Sequence, residues 1–175
     1  MYARLIIIIL VIAGLFLVSR KAVANTRTQL NGSLDSIFKL YAQKHGLDWK
    51  LLKAVATVES SLNASAVNPA DPSYGIMQIL CEPDGKGGCR NKFPAVTNWP
   101  PVNKAQLFDP EYNISVGSQI LAWNISTYGM RKGVAVYNSW AARFESEPFK
   151  NQRYIDKVFA EYKRLRDDET NRHAN

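Results

Sequence analysis

Glu59 is the residue of this sequence whose position best suits it for acid–base chemistry. It follows Val55 by four residues and Leu52 by seven, so helical geometry places its carboxyl on the face that the apolar residues pack. A carboxyl on that face is either solvated at the helix end or held in an apolar cleft. In a cleft, desolvation raises the pKa of the carboxyl, as a general acid working near neutral pH requires.

The elements that must position Glu59 are predicted to be helices. Ser33 can cap a first helix that ends near Gly46, and Asp48 can cap a second helix with the sequence WKLLKAVATVES. Apolar residues recur in both at spacings of three and four, which is typical of helices that bury one face. The helix that carries Glu59 must therefore pack against other elements.

Three further helices are predicted in the second half of the chain. One starts at Asp109-Pro110-Glu111, where a capping residue precedes a proline and an acid, and it runs to about Tyr128. Another covers residues 132–142, and the last follows Pro148. Beyond Arg166 the polar sequence DDETNRHAN is expected to fray.

Between Leu62 and Ala105 the helical pattern is replaced by Asn, Pro, Asp, Ser and Gly around one apolar segment, Tyr74–Leu80. Such composition is typical of loops, short helical turns and a small hairpin. The sequence therefore predicts a mainly α fold, one helical domain over residues 33–166 with an irregular, loop-rich centre. Residues 25–32 would be a linker and residues 167–175 a polar tail.

Composition and charge exclude several classes of protein. Apolar residues make up 46% of the chain and charged residues 21%, which excludes a disordered or fibrous protein. Lys and Arg number 22 against 15 Asp and Glu, a formal net charge of +7. These positive charges are dispersed and form no basic helix, so we expect no nucleic-acid partner. A mildly basic domain suits an anionic polymer or a membrane surface.

The amino terminus predicts export. Leu5–Val18 is a run of fourteen uncharged, nearly all apolar residues, about 21 Å long as a helix and short of the roughly 30 Å of a bilayer core. Ala22-Val23-Ala24 offers a signal-peptidase site, whereas Arg20 and Lys21 could instead extend a short anchor. Residues 1–24 are therefore either a signal peptide or an N-terminal membrane anchor, and the domain would work in the periplasm or cell envelope.

Cys81 and Cys89 bracket the Gly-rich sequence CEPDGKGGC. An exported chain favours a local disulfide between them, with two free thiols as the alternative. Neither cysteine has a neighbouring His or further Cys, so we expect no zinc site here and no metal elsewhere.

Four short motifs occur in one order along the chain: Glu59-Ser60, Gly75-Ile76-Met77-Gln78, Asn113-Ile114 with Gly117, and Ala135-Val136-Tyr137-Asn138. In this order and spacing they resemble the catalytic domain of the lytic transglycosylases. The similarity covers about Leu47 to Tyr162 and includes the soluble lytic transglycosylase (SLT) domain, which is related to goose-type lysozyme. It implies an α+β, lysozyme-like fold.

The resemblance also implies roles for individual residues. Glu59 would be the single catalytic acid/base, Gly75 would let backbone approach a sugar, Met77 would line the groove, and Tyr137 would lie over the cleft. Asn113 and Gly117 would be structural. The substrate-binding residues would be Ser60, Ser73, Gly75, Met77, Gln78, Tyr137 and Asn138.

The sequence departs from the family pattern in two places. Asn68 stands where many members have a hydroxyl residue, and Ser73 is a possible substitute. A basic and aromatic stretch follows the Gly-rich loop, and it would be either one wall of the groove or a packed loop. Its notable residues are Arg90, Lys92, Phe93 and Trp99.

The implied reaction is cleavage of the β-1,4 bond between N-acetylmuramic acid and N-acetylglucosamine in peptidoglycan, without water and without a cofactor, to give 1,6-anhydromuropeptides. One alternative is a hydrolytic, goose-type-like lysozyme with Asp71 as second carboxylate. Another is a non-catalytic peptidoglycan-binding module. The implied partners are glycan strands, the membrane if residues 1–24 are retained, and a machine for secretion, conjugation, pilus or phage assembly; in a phage the protein would be virion-associated.

Overall fold

A computed structural model describes residues 34–86, 88–89 and 102–173. The chain divides into two compact units, Met1–Ser36 and Ile37–Asn175, and all four sequence motifs lie in the second. Several predictions concern residues outside the described ranges: the signal peptide or anchor at 1–24, the linker at 25–32, the cap at Ser33, and the groove wall at Arg90, Lys92, Phe93 and Trp99.

Five α-helices account for most of the described residues. Asp48 caps the second by accepting a hydrogen bond from the Lys50 amide, and Asp109 caps the third through the Tyr112 amide, as their sequences predicted. The helices are α1 (34–45), α2 (Trp49–Ser60), α3 (Pro110–Tyr128), α4 (Met130–Asn138) and α5 (Gln152–His173), with 3-10 helices at Lys104–Phe108 and Trp140–Phe144.

The loop-rich centre contains a small antiparallel sheet. Its strands are β1 (Val67–Asn68), β2 (Ser73–Tyr74) and β3 (Ile79–Leu80), in that spatial order. Val67 pairs with Tyr74, and Tyr74 pairs with Ile79. The prediction of a mainly α fold with an irregular centre is confirmed, and the expected hairpin gains a third strand.

The core lies between two pairs of helices. α2 packs against α5, and α3 packs against α4. These helices meet through side chains that are almost completely removed from solvent, and their burial is the main source of stability for the scaffold. They include Leu51, Leu52, Val55, Ile114, Leu121, Val134, Ala135, Ile155 and Val158.

Two helix boundaries differ from their predictions. The helix expected at residues 132–142 is α4, which begins at Met130 and ends before Ser139, whose extended backbone (φ −139°, ψ 108°) separates it from the 3-10 helix Trp140–Phe144. The tail expected to fray beyond Arg166 continues α5 to His173. Ion pairs Lys163–Asp167 and Arg164–Asp168 join successive turns there and favour the helix.

Cys81 and Cys89 form the predicted disulfide, with a Cα–Cα distance of 4.8 Å. It closes the Gly-rich loop, and an isolated β-bridge pairs Gly88 with Asn103 just before the 3-10 helix Lys104–Phe108. Among the described residues, no helix has both the length and the apolar character needed to cross a bilayer.

Candidate active site

A cleft of about 340 Å³ opens beside the carboxyl of Glu59. Its walls come from the end of α2, the small sheet, α3, the end of α4 and the 3-10 helix that follows. Five of the predicted site residues meet here: Glu59, Ser73, Gln78, Tyr137 and Asn138. The other lining residues are Asn68, Asp71, Ile79, Leu80, Ile120, Val136 and Trp140.

Glu59 lies in the last turn of α2, so the helix itself sets the direction of its side chain. Oε1 of Glu59 accepts a 2.6 Å hydrogen bond from the hydroxyl of Tyr154 on α5. This bond ties the carboxyl to the helix against which α2 packs. The carboxyl therefore has a defined orientation at the cleft wall.

The surroundings raise the pKa of Glu59 from 4.5 to about 7. Burial is the largest cause, because it disfavours the charged carboxylate. The hydrogen bond from Tyr154 lowers the pKa, and the negative charge of Asp71 across the cleft raises it. Near neutral pH the group thus populates both its protonated and its ionised form, as an acid that later acts as a base requires.

Two tyrosines flank this carboxyl. The Tyr137 hydroxyl donates a 2.9 Å hydrogen bond to the carbonyl oxygen of Met77, and the Tyr154 hydroxyl donates to Glu59. Burial, followed by the charge of Glu59, raises the pKa of both phenols well above 10. Both tyrosines therefore remain neutral hydrogen-bond donors at any pH at which Glu59 titrates.

Tyr154 was missed by the sequence reasoning. Ile155 and Val158 are buried on the packed face of α5, and Tyr154 precedes Val158 by one helical turn on the same side. A tyrosine on a packed face needs a partner for its hydroxyl, which is the signal that could have found it. Which partner it finds depends on how α5 packs on α2.

Asn113 fixes the Gly75–Gln78 turn beside the cleft. Its amide nitrogen donates to the carbonyl oxygens of Tyr74 (2.9 Å) and Leu107 (2.8 Å), and its amide oxygen accepts from the Met77 backbone nitrogen at 2.8 Å. The side chain is completely buried, so removing it would leave these backbone groups unsatisfied. The motif residue Asn113 is thus a structural link from α3 to the turn.

Gly75 has a packing role that the sequence did not indicate, and the expected approach of its backbone to a sugar stays a prediction. Its backbone is left-handed (φ 77°), and a Cβ placed on it would lie 2.1 Å from the Leu107 carbonyl oxygen and 2.2 Å from the Asn113 amide nitrogen. The close approach that requires glycine is therefore that of the residues leading into α3, and no sugar is needed to explain it.

The side chain of Met77 does not line the groove, contrary to expectation. Its side chain is 0% exposed and packs on Gly117 of α3, where an added Cβ would lie 2.5 Å from the sulfur. Gly117 thus allows the Gly75–Gln78 turn to approach the helix. Met77 contributes its backbone carbonyl to the site, as the acceptor for Tyr137.

Ser60 and Gln78 both bind backbone groups near the cleft. The Ser60 hydroxyl donates to the Ile76 carbonyl oxygen at 2.7 Å and accepts from the Asn63 amide at 3.1 Å. These bonds give Ser60 a structural role, joining the end of α2 to the turn. The Gln78 amide nitrogen donates to the Gly75 carbonyl oxygen at 2.9 Å, which leaves its amide oxygen as the atom suited to a ligand.

Asn138 links α4 to the start of α5. Its amide oxygen accepts a 3.1 Å hydrogen bond from the Asn151 side chain, whose nitrogen also donates to the Ala135 carbonyl oxygen at 2.9 Å. The loop that carries Trp140 to the cleft is therefore fixed at its beginning. Among the described residues, no group of three or more His, Cys, Asp or Glu side chains is placed to hold a metal ion.

Backbone strain is concentrated around this site. Three described non-glycine residues have left-handed φ angles: Ser61 (55°), Leu62 (62°) and Gln78 (49°). Two directly follow Glu59-Ser60, and the third ends the Gly75–Gln78 turn. Such conformations cost of order 1 kcal/mol or more each and persist where the surrounding structure imposes them.

The fold and motifs match those of known proteins. The family model described as "Transglycosylase SLT domain" matches residues 36–158. Membrane-bound lytic murein transglycosylase C of Sodalis glossinidius is 36% identical over 87 residues, which are 50% of this chain and 23% of that protein. Membrane-bound lytic murein transglycosylase E of Buchnera aphidicola is 28% identical over 130 residues, 69% of this chain and 59% of that protein.

A solved structure shares the architecture. The 70 kDa soluble lytic transglycosylase Slt70 of Escherichia coli superposes with a TM-score of 0.55 at 26% identity, over 73% of this chain and 23% of that one. The chain thus spans about a quarter of the first relative and of this neighbour. Because the family match covers most of the helical unit and all four motifs, the chain belongs to the SLT family of transglycosylase domains.

Proposed function

We propose that this domain is a peptidoglycan lytic transglycosylase that cleaves the bond between N-acetylmuramic acid and N-acetylglucosamine and leaves a 1,6-anhydro product. The observation that carries this proposal is Glu59, a buried carboxyl held by Tyr154 in the wall of a cleft of about 340 Å³ with its pKa raised to about 7. Family membership supports the same reaction.

In the first step, protonated Glu59 gives its proton to the glycosidic oxygen as the bond from that oxygen to C1 of the muramic acid breaks. In the second step, the resulting carboxylate takes the proton of the muramic acid's own 6-hydroxyl, and O6 bonds to C1. The proton lost by Glu59 is recovered, and no water enters the product. One carboxyl suffices because its two roles follow in time.

The neighbours of Glu59 support this cycle. Tyr154 orients the carboxyl and stabilises its ionised form between the steps, and Tyr137 holds the Gly75–Gln78 turn through its hydrogen bond to Met77. Ser73, Gln78 and Asn138 are the polar groups that would bind the sugar. Asp71 is solvent-exposed in the same cleft, and its charge raises the pKa of Glu59.

We further propose that the substrate is polymeric peptidoglycan and that the protein acts in the cell envelope. The relatives named above are membrane-bound murein transglycosylases, which supports both statements. Retention of residues 1–24 as a membrane anchor, and service to a machine for secretion, conjugation, pilus or phage assembly, remain predictions from the sequence.

The test is mass spectrometry of the muropeptides that the full chain, in mild detergent, releases from purified sacculi. We expect products lighter by one water than reducing-end muropeptides, and none from Glu59→Gln. Glu147→Gln, which removes an exposed acid on the loop before α5, is the matched control and should act as wild type.

Two other results would overturn this assignment. Reducing-end products would mean hydrolysis, and they would make Asp71 the second carboxylate. Sacculus binding without release of any product by the folded protein would mean a non-catalytic binding module.

A further inference from the structure

Arg143 contacts the cleft residue Trp140, and both belong to the 3-10 helix Trp140–Phe144. Its guanidinium carbon lies 4.2 Å from the centroid of the Trp140 ring and 4.0 Å from that of the Phe144 ring. Trp140 also stacks on Trp123 of α3, with ring centroids 6.1 Å apart. The guanidinium is therefore held against a rigid aromatic support that begins in the wall of the cleft.

The donors of Arg143 remain available in this arrangement. A guanidinium that contacts rings through its face keeps its N–H groups in the plane, directed away from the rings. One nitrogen, Nη1, donates to the Trp140 carbonyl oxygen at 2.8 Å, which fixes the orientation of the group. The remaining donors form the fork that binds a carboxylate through two hydrogen bonds.

No carboxylate of the protein takes that place. All fifteen Asp and Glu side chains lie in the described part of the chain, and within it none forms an ion pair with Arg143. Glu145, the nearest acid in sequence, accepts a 3.0 Å hydrogen bond from the Lys150 backbone amide and forms an ion pair with the Lys150 ammonium at 3.8 Å. Phe144 is 79% exposed, an apolar ring kept at the surface beside this cation.

We propose that Arg143 binds a carboxylate of the peptide stem carried by the muramic acid, while Trp140 forms part of the cleft wall beside the glycan. This inference rests on the proposed function, since the stem is part of that substrate. A cation one ring away from the sugar-binding wall suits a charged group attached to the sugar. In peptide-bearing strands the lactyl carboxyl of the muramic acid is amide-bonded to the stem, so the negative charge is carried by the stem and not by the glycan. Arg143 would then favour peptide-bearing strands over stripped ones.

The experiment compares two soluble glycan substrates, using the full chain in detergent. One is strands with peptide stems, and the other is the same strands after amidase removal of the stems and conversion of the exposed lactyl carboxylates to amides, which leaves stripped strands without charge. Arg143→Gln should raise KM for the peptide-bearing strands about tenfold, with kcat unchanged, and leave KM for stripped strands within twofold of wild type. Arg166→Gln removes a second arginine placed over an aromatic ring, Tyr162 of α5, and should change neither.

A binding measurement makes the test independent of turnover. Isothermal titration of the Glu59→Gln protein should show tighter binding of a disaccharide-tetrapeptide than of the peptide-free disaccharide with its lactyl carboxyl converted to an amide. The added Arg143→Gln change should abolish this difference. Arg143→Lys keeps the positive charge but cannot form two hydrogen bonds to one carboxylate, so it should recover part of the affinity difference between the two ligands. Circular dichroism confirms that each variant is folded.

Equal losses on peptide-bearing and stripped strands, or no loss on either, would overturn the proposal even if the anhydro products are found. Failure of the wild-type protein to form anhydro products would instead overturn the proposed function, and the titration would still decide the role of Arg143.

Discussion

The Tyr154 hydroxyl lies 2.6 Å from Oε1 of Glu59, although 95 residues separate the two in sequence. The bond joins the last turn of α2 to the first turn of α5, and it stabilises the ionised carboxylate against the burial that opposes it. The position of α5 therefore controls both the direction and the acidity of the Glu59 carboxyl.

Replacement of Tyr154 by Phe should separate these two effects. The hydrogen bond from Tyr154 lowers the pKa of Glu59, so its removal should raise that pKa and move the alkaline limb of the pH–rate profile to higher pH. The less well-oriented carboxyl should reduce kcat by about tenfold to a hundredfold, as expected for a hydrogen bond to a charged group. Muropeptide release measured from pH 5 to 9 checks both. Tyr162→Phe makes the same change on α5, at a hydroxyl bonded to Asp48, and should leave the profile in place; a shift there too would mean general disturbance of the helix.

The wild-type rate should itself report the acidity of Glu59. Protonated Glu59 is needed to donate to the glycosidic oxygen, so kcat/KM should fall as pH rises through about 7. Initial rates on soluble glycan strands in buffers of constant ionic strength measure this limb. A fall centred near the ordinary carboxyl value of 4.5 would show that the carboxyl is not held in a desolvated site.

Glu59 should also lower the stability of the fold at alkaline pH. A folded-state pKa of about 7, above the unfolded value, means that the folded state binds more protons, so stability is highest below about pH 4.5 and is lost as pH rises to 7. Glu59→Gln removes this effect and should raise the free energy of unfolding by up to about 3 kcal/mol at pH 8, with little change at pH 4. Urea unfolding at the two pH values tests it. Equal effects at both would rule out this linkage.

Gly75 and Gly46 offer a matched pair for the fit of α3 against the turn. Both have left-handed backbones, with φ of 77° and 67°, but a Cβ on Gly46 meets no atom within 4 Å whereas one on Gly75 overlaps Leu107 and Asn113. Gly46→Ala should lower the free energy of unfolding by about 1 kcal/mol from backbone strain alone, and Gly75→Ala should lower it by about 3 kcal/mol or more. Thermal and urea unfolding measure the difference. Similar costs would mean that the turn can move away from α3.

The disulfide should contribute measurably to stability. Cys81 and Cys89 are separated by 8 positions in sequence, and closing so short a loop should stabilise the fold by about 2 to 3 kcal/mol. Replacing both cysteines with Ala should therefore lower the free energy of unfolding by about that amount. Reductant should destabilise the wild-type protein and leave the double variant unchanged. An equal response of both proteins to reductant would contradict the prediction.

Much of the helical scaffold was predictable because its signals are local. The caps at Asp48 and Asp109 and the glycine that follows α3 act within a turn of the residues that they affect, and the structure confirms them. The break at Ser139 was not predictable from periodicity, because the apolar pattern continues across it and only the packing of Trp140 beside Trp123 explains the change of direction. The continuation of α5 beyond Arg166 is favoured by ion pairs between successive helical turns, which the polar composition of the tail does not indicate.

The roles within the Gly75–Gln78 turn show a different limit. The motif was found by type and order, but which of its side chains turn outward depends on α3. Met77 faces Gly117 and becomes core, while Gln78 remains at the cleft. The sequence of this four-residue turn cannot reveal which side chains are buried, because each could face the core or the cleft until α3 packs against the turn.

The sequence alone determined that the chain is mainly helical, that its cysteines can pair locally, and that Glu59 lies on the packed face near the end of its helix, since each of these depends on neighbours a few residues away. Tertiary structure decided what surrounds Glu59. Tyr154 from α5, Tyr137 from α4 and Asp71 from the central loop come close to Glu59 only when distant segments pack together. The pKa of about 7 exists only there, because desolvation and charge act through space and not along the chain.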